Sequence, residues 1–133
     1  MRTFELHGIE ILAHRDKVFG FVSDPQNLPR WTHAFQSVEH GRARLVTPAG
    51  TVAIGLRTET NPATGTVDWR LEFPDGSVGL AQSRVTETAR GTCIYAFVLH
   101  APPLPLEQIE GALDQQSATL RQELSKLRSL MEA

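Results

Sequence analysis

Apolar and polar residues alternate at the start of the chain. Phe4 and Leu6 are followed by Ile9 and Ile11, and this spacing predicts a half-buried strand over residues 2–12. The apolar positions change parity near Gly8, which indicates a bulge or a twist at that point.

The spacing becomes helical from Arg15 onwards. Val18 and Val22 lie four residues apart on one face of a predicted short helix. Asp24 and Pro25 end this helix and begin another, because proline fits the first helical position and aspartate can cap the amides before it. The second helix is predicted to run from Pro25 to about Trp31.

The middle of the chain, residues 36–100, is divided by turn signals at regular intervals. Between them lie short segments rich in β-branched and aromatic residues, which predict strands. The turn signals are Pro48-Ala49-Gly50, Asn61-Pro62-Ala63-Thr64-Gly65, Pro74-Asp75-Gly76 and Ala89-Arg90-Gly91. We therefore predict a meander of five antiparallel strands, and six strands in all with the first one.

A long helix is predicted from Pro105 to the C-terminus. Its apolar stripe consists of Leu106, Ile109, Leu113, Leu120, Leu124, Leu127 and Met131. Gln116 and Gly111 interrupt this stripe. They are compatible with ordinary sequence variation, but they also suit a helix whose first half faces a cavity, where Gly111 makes room and Gln116 offers a polar contact. The leucine-rich second half would then seal the core.

Composition places the chain among ordinary globular domains. With 133 residues, 41% apolar and 21% charged, residues 1–133 are expected to form one domain. A net charge of −2 gives no reason to expect a nucleic-acid partner. Cys93 is the single cysteine, so no disulfide can form within the chain. The N-terminus has no apolar signal-peptide run and no segment is long enough to span a membrane, so we expect a cytoplasmic protein.

The segment from Arg15 to Trp31 resembles the opening motif of the polyketide cyclase/dehydrase-like proteins. These belong to the START and pollen-allergen-like superfamily, also called SRPBCC. The motif is an apolar helix followed by Asp24-Pro25, a short spacer and Leu28-Pro29-Arg30-Trp31. The resemblance implies an α+β helix-grip fold, in which a curved antiparallel sheet wraps around a long C-terminal helix and an apolar cavity lies between them. Larger members have seven strands, so six strands predict a small cavity.

Aromatic residues are the main candidates for ligand contact. Trp69 lies on one face of its predicted strand and Tyr95 on one face of the last strand. If these faces point inward, the two rings form an apolar wall with two polar groups, although plain core packing explains them equally well. The predicted ligand-binding residues are Trp31, Phe35, Trp69, Tyr95, Phe97, Leu113 and Gln116.

The five histidines are the main candidates for acid/base chemistry. None has the spacing of a metal site, so we predict neither a metal nor a cofactor. His33 and His100 are expected at the mouth of the cavity, where an imidazole could act as a general acid or base. The alternative is that both are loop histidines bonded to backbone, while His7 and His14 are expected to be solvated.

The sequence leaves open which face of the fifth predicted strand points inward. Either Gln82 and Arg84 point into the cavity, or Ser83 and Val85 do.

Three functions are compatible with these features. The first is a protein that binds a small apolar or aromatic molecule, whose identity the sequence does not specify. The second is a cofactor-independent cyclase or dehydratase that uses His33 or His100. The third is a non-catalytic interaction or stress-response module, in which the stripe from Leu120 to Met131 continues as a coiled-coil seam and forms a homodimer.

Overall fold

The structure, a computed structural model, describes residues 3–47, 50–101 and 106–133, and the side chains of 106–111 are outside this description. It is an α+β fold in which one antiparallel sheet is followed by one long C-terminal helix. The strands are β1 Phe4–Ile11, β2 Phe35–Glu39, β3 Arg42–Thr47, β4 Gly50–Asn61, β5 Thr66–Glu72, β6 Val78–Glu87 and β7 Cys93–His100. The helices are α1 Arg15–Val22, α2 Leu28–Trp31 and α3 Leu106–Glu132. The predicted turn at Pro48-Ala49 and the prolines before α3 lie outside the described residues.

The sheet has seven strands in the order β1-β7-β6-β5-β4-β3-β2, so the predicted count of six is wrong. The extra strand comes from a tight hairpin between β2 and β3. Its two turn residues, His40 and Gly41, have positive φ angles of 51° and 73°. Such turns are usually marked by Asn-Gly or Asp-Gly, and histidine in the first position does not give that signal. With seven strands, the strand count no longer argues for a small cavity.

Strand β1 is regular throughout, so the predicted bulge at Gly8 is also wrong. It pairs with β7 without a break, from Phe4 opposite His100 to Ile11 opposite Cys93. The apolar positions change parity because the two ends of the strand carry their apolar residues on opposite faces. Ile11 faces the core, whereas Phe4 and Leu6 lie on the outer face of the sheet with 52% and 64% of their surface exposed.

The two short helices form largely as predicted. The Asp24 side chain accepts a hydrogen bond from the Gln26 amide at 3.0 Å and caps a single turn of 3-10 helix over Pro25–Asn27, which leads into α2. Thr32 ends α2 by donating its amide to the Leu28 carbonyl. The cap and the proline thus direct the chain back towards the sheet, and Trp31 is buried as the last residue of α2.

The second half of α3 closes the core over the inner face of the sheet. Its apolar side chains are buried against the molecule's own core, namely Leu120, Leu124, Leu127 and Met131. The prediction that this stripe continues as a coiled-coil seam is therefore wrong, because the side chains that would form the seam are already covered by their own chain.

Candidate functional site

Four aromatic rings lie side by side in the interior and form what we call the aromatic row. Trp31 meets Tyr95 edge-on, with ring centroids 6.1 Å apart and an angle of 79° between the rings. Tyr95 meets Phe97 in the same way at 6.3 Å. Phe97 in turn stacks on Trp69 at 6.2 Å. These are favourable arrangements for aromatic pairs, which gain about 1 kcal/mol beyond the burial of their surface.

Three separate elements bring these rings together. Tyr95 and Phe97 are two residues apart on β7 and so share its inner face. Trp69 has the same orientation on β5, and Trp31 comes from the end of α2. Trp69 is 3% exposed and Tyr95 0%, so both rings lie on inward faces, a direction that the sequence left open.

The row contains three buried polar atoms without a hydrogen-bond partner. They are the indole Nε1 atoms of Trp31 and Trp69 and the hydroxyl oxygen of Tyr95, and none has a partner among the residues that the structure describes. More than nine in ten buried polar groups of native proteins are paired with protein or with ordered water. Three such groups in one row make it the candidate site within the described interior.

Burial further favours the protonated form of Tyr95. It raises the pKa of the phenol, and the charges of Asp68 and Glu123 act in the same direction. A side-chain hydrogen bond with the Ser83 hydroxyl lowers the pKa in part, and Ser83 also donates to the Val67 carbonyl at 2.6 Å. Tyr95 is thus a neutral hydroxyl at physiological pH.

Glu123 of α3 lies at the α2 side of the row. Its Oε2 accepts a hydrogen bond from the His33 amide at 2.6 Å and ties the helix to the segment between α2 and β2. Burial raises the pKa of the Glu123 carboxyl, and the His33 amide and ring lower it in part. Sequence reasoning missed this residue, although an acid directly before Leu124 in an apolar stripe is a signal that could have indicated it.

The structure does not bring His33 and His100 together. The His33 side chain is exposed, and its contact with Glu123 is through the backbone amide. His100 pairs with Phe4 on the outer face, where its Nε2 lies 2.8 Å from Oε1 of the exposed Gln82. The prediction that His100 lies at the mouth of an interior cavity is therefore wrong, because strand parity turns it to the other side of the sheet.

Strand parity also shows which side chains of β6 face the interior. Gln82 and Arg84 are exposed on the outer face, and Ser83 and Val85 are buried. Of the alternatives left open by the sequence, the second is the correct one.

The remaining predicted site residues differ in their position. Leu113 is fully buried, and Phe35 is half-buried at the start of β2. Gln116 is exposed, so the structure does not support its predicted contact with an interior cavity. Among the described side chains of α3, the buried polar one is the next residue, Ser117, because a one-residue step turns a helix position by about 100°.

Ser117 forms an unexpected link to the edge strand. Its Oγ lies 2.5 Å from Nε2 of His7, which is half-buried rather than solvated as predicted. His14 is exposed as expected, and its Nδ1 accepts the Asp16 amide at the start of α1. The sequence carried no signal for the link between His7 and Ser117, since the two residues are 110 positions apart.

Two small depressions lie on the outer face of the sheet, away from α3. One of about 120 Å³ is lined by charged and polar side chains that include Asp68, Arg70 and Gln82. The other, of about 230 Å³, lies beside Arg42 and Glu72. Within the described part of the chain no three His, Cys, Asp or Glu residues are grouped as metal ligands would be, and no helix there is long and apolar enough to cross a membrane.

Comparison with known proteins identifies the fold. Neither a protein-family model nor a curated protein matches the chain. Solved structures do match. A START superfamily protein from Mycobacterium smegmatis is 11% identical with a TM-score of 0.66, over 97% of this chain and 99% of that one. The Zhui aromatase/cyclase from Streptomyces sp. R1128 is 12% identical with a TM-score of 0.67, over 97% and 93% of the two chains.

A third structure contains more than this fold. The di-domain aromatase/cyclase BexL from the BE-7585A biosynthetic pathway is 22% identical with a TM-score of 0.72, and the match covers 97% of this chain but 46% of that one. At these identities the likeness concerns architecture. The resemblance of residues 15–31 implied a curved antiparallel sheet and a long C-terminal helix, and the structure has both. The chain has the fold of the START superfamily and of the polyketide aromatase/cyclases.

Proposed function

We propose that this protein binds a small apolar or aromatic molecule between α3 and the aromatic row. The observation that carries the proposal is the presence of three unpartnered polar atoms within a row of buried rings. Ligand sites are typically apolar and contain a few polar groups that fix orientation. The row has this composition, with rings on three elements and one indole or hydroxyl group on three of its four residues.

The rings are covered in this structure, which bears on how a ligand reaches them. Trp31 and Tyr95 are 1% and 0% exposed. A ligand can contact them only after the covering side chains separate, so its association is expected to be slower than a rigid encounter. Structural neighbours named as a START superfamily protein and as aromatase/cyclases are consistent with this kind of site.

Tryptophan fluorescence tests the proposal directly, because Trp31 and Trp69 are the only tryptophans of the chain and both belong to the row. Polyketide-like, fatty-acid and steroid-like compounds are titrated while fluorescence and thermal unfolding are recorded. A ligand at a hundred times its Kd should stabilise the folded chain by about 2.7 kcal/mol. Trp69→Leu should weaken binding, whereas Phe21→Leu, a half-buried ring outside the row, should not. If no compound changes either signal, the proposal is wrong.

A second candidate function is acid/base cyclisation of a keto-bearing chain. It is favoured by the pairing of the Glu123 carboxyl, whose pKa is raised by burial, with the His33 segment beside Tyr95. A carboxyl with a raised pKa is suited to proton transfer near neutral pH. In this version His33 and Glu123 exchange protons with the substrate while the aromatic row holds its apolar part.

This candidate is tested by turnover of a keto-bearing model substrate. His33→Ala and Glu123→Gln should both reduce the rate. His100→Ala is the matched control, because His100 lies on the outer face and should not matter. Unchanged turnover in both site variants would exclude the catalytic function and leave the binding function intact.

A further inference from the structure

The outer face of the sheet is divided into two halves of different chemistry. Five of the seven exposed large apolar side chains of the described chain lie on the outer face of the adjoining strands β1, β7 and β6. They are Phe4, Leu6, Ile94, Val78 and Leu80. The outer face of β5, β4 and β3 is instead charged, with Arg70, Glu59 and Arg42 among its residues. We call the outward side chains of β1, β7 and β6 the outer patch, because a contiguous exposed apolar surface marks an interaction site.

The outer patch has a raised row beside a shallow dip. Leu6 and Val98 lie directly opposite each other on β1 and β7, and the next outward pair along these strands is Gly8 and Ala96. Leu6 is 64% exposed and stands free above the sheet. Two small residues in neighbouring strands leave a hollow next to the two larger ones.

The fold itself does not require glycine at position 8. Gly8 is outside the left-handed region of backbone conformation, and a Cβ atom placed there would make only ordinary contacts, the nearest 3.7 Å from the Tyr95 carbonyl oxygen. Glycine weakens a strand, and it often marks a site where another group approaches the backbone closely. The dip therefore has the character of a place on which something is seated.

A second copy of the chain has the shape that fits this surface. A two-fold interface places one surface patch on itself, so each raised feature must meet a hollow of the same patch. An axis that crosses the strands between the two rows turns Leu6 of one copy over Gly8 of the second copy, and Val98 over Ala96. The strands of the two sheets then run nearly aligned, which is a common arrangement for sheets packed face to face.

The charges of the outer patch are compatible with this pairing. On β6 the two rows end in Gln82 and Arg84, so the same axis brings each guanidinium over an uncharged amide. The outward residues of the three strands include one arginine, Arg84, and one carboxylate, Glu10. Surfaces that dock on anionic lipid are rich in lysine and arginine, and the outer patch is not.

The size of the outer patch sets the expected strength of the contact. Three strands over seven residues cover a flat area of about 350 Å², and the relief of the side chains raises the accessible area above this value. An interface of this size belongs to the small class that is typical of weak and transient pairs. A reversible dimer is therefore expected, with a Kd in the micromolar range or above.

We propose that the outer patch joins two copies of this chain into a face-to-face dimer, in which Leu6 and Val98 of each copy are seated over Gly8 and Ala96 of the other. This surface lies on the opposite side of the sheet from the aromatic row. The inference is thus independent of the binding function proposed above, and the dimer leaves the interior of each copy unchanged.

Sedimentation velocity of the full chain tests the proposal over a concentration series from low micromolar to near millimolar. The parent chain should show a reversible monomer–dimer equilibrium. Leu6→Glu should raise the dimer Kd at least about tenfold, because the two-fold axis repeats the loss in both copies. Val46→Glu is the matched control. Val46 is also an exposed apolar residue of the outer face, 50% exposed, but it lies on β3 outside the outer patch, so the Kd should not change.

A second variant separates the interface from the stability of the fold. Gly8→Thr fills the dip with a residue that suits a strand, so the temperature of thermal unfolding should stay the same or rise. The dimer Kd should nevertheless increase about tenfold, because Leu6 of the second copy loses its place. Circular dichroism and thermal unfolding of all variants confirm that each one is folded.

Several results would overturn the proposal. It is wrong if the parent chain stays monomeric over the whole series, or if folded Leu6→Glu and Gly8→Thr variants dimerise as the parent does. It is also wrong if Val46→Glu weakens the dimer as much as Leu6→Glu does. Flotation with phosphatidylcholine vesicles, with and without phosphatidylserine, is the last comparison. A monomer that binds vesicles, and loses this binding in Leu6→Glu, would show that the outer patch meets a lipid surface instead of a second copy.

Discussion

Two parts of the interior lie against the same face of the sheet and differ in their chemistry. We call the side chains of Leu120, Leu124, Leu127 and Met131 the aliphatic seam of α3. The seam is apolar throughout, and no polar atom is left unpaired there. The aromatic row has larger rings and retains three unpaired polar atoms. Burial is nearly complete in both, so burial alone does not separate a core from a candidate site.

The difference lies in what each region leaves unsatisfied. Aliphatic side chains are stabilised by removal from water and by close packing, and they need no directional partner. A buried indole or phenol without a partner costs about 1–3 kcal/mol of desolvation. The seam can therefore supply the stability of the fold, while the row carries a cost that a ligand or water would remove.

The largest expected effect is in the seam. Leu127→Ala should lower the free energy of unfolding by about 3 kcal/mol, because Leu127 is fully buried and its truncation leaves a cavity. Chemical denaturation measures this change. Arg128→Ala, at the exposed neighbouring position, should change stability by less than about 0.5 kcal/mol. A small effect at Leu127 would mean that the seam is not the stabilising half of the interior.

A smaller effect is expected where α3 is fastened to the edge strand. Ser117→Ala removes the hydrogen bond to His7 and should cost about 1 kcal/mol. The coupling between the two residues is measured with a double-mutant cycle that includes His7→Ala. Additive losses would show that the 2.5 Å contact does not contribute as a bond.

Glu123 makes a pH-dependent contribution at the border of the aromatic row. Because burial raises the pKa of its carboxyl in the folded chain, the protonated form is favoured by folding. The stability linked to this group is complete below about 4.5, the ordinary value, and is lost as the pH rises through the higher folded value. Glu123→Gln should remove this loss while keeping an oxygen for the His33 amide.

The control for this profile is Glu87→Gln, at an exposed carboxylate near the end of β6. Unfolding is measured by denaturant titration at a series of pH values. If the free energy of unfolding of both variants changes with pH as it does in the parent chain, Glu123 is not a buried carboxylate. It then does not distinguish the aromatic row from the aliphatic seam.

The smallest effect has the opposite sign. Tyr95→Phe removes an unpaired buried hydroxyl and keeps the ring, so it should leave stability unchanged or increase it by less than about 1 kcal/mol in the absence of added ligand. Differential scanning calorimetry measures the shift. A clear loss of stability would show that the hydroxyl is already hydrogen-bonded in solution, and the row would then be an ordinary core like the seam.

Local features of the sequence predicted much of the fold. The Asp24 cap, the proline after it and the part of the α3 stripe from Leu113 onwards were found in the structure. The two-residue period of strands predicted which residues share a face with Trp69 and with Tyr95, while the burial of those faces was visible only in the structure. These features depend on neighbours within a few residues, which is the range over which side-chain spacing and backbone preference act.

The sequence by itself determined the first strand, the two short helices with the Asp24 cap, the long C-terminal helix and which rings could share a face. The tertiary structure alone decided the rest. It paired His7 with Ser117, turned His100 to the outer face and placed Glu123 beside the His33 segment. It also closed a β2–β3 hairpin at a turn with an unusual first residue, and it joined rings of three elements into one row. Each of these depends on strand register or on helix position across many residues, and only the packing of the whole chain sets them.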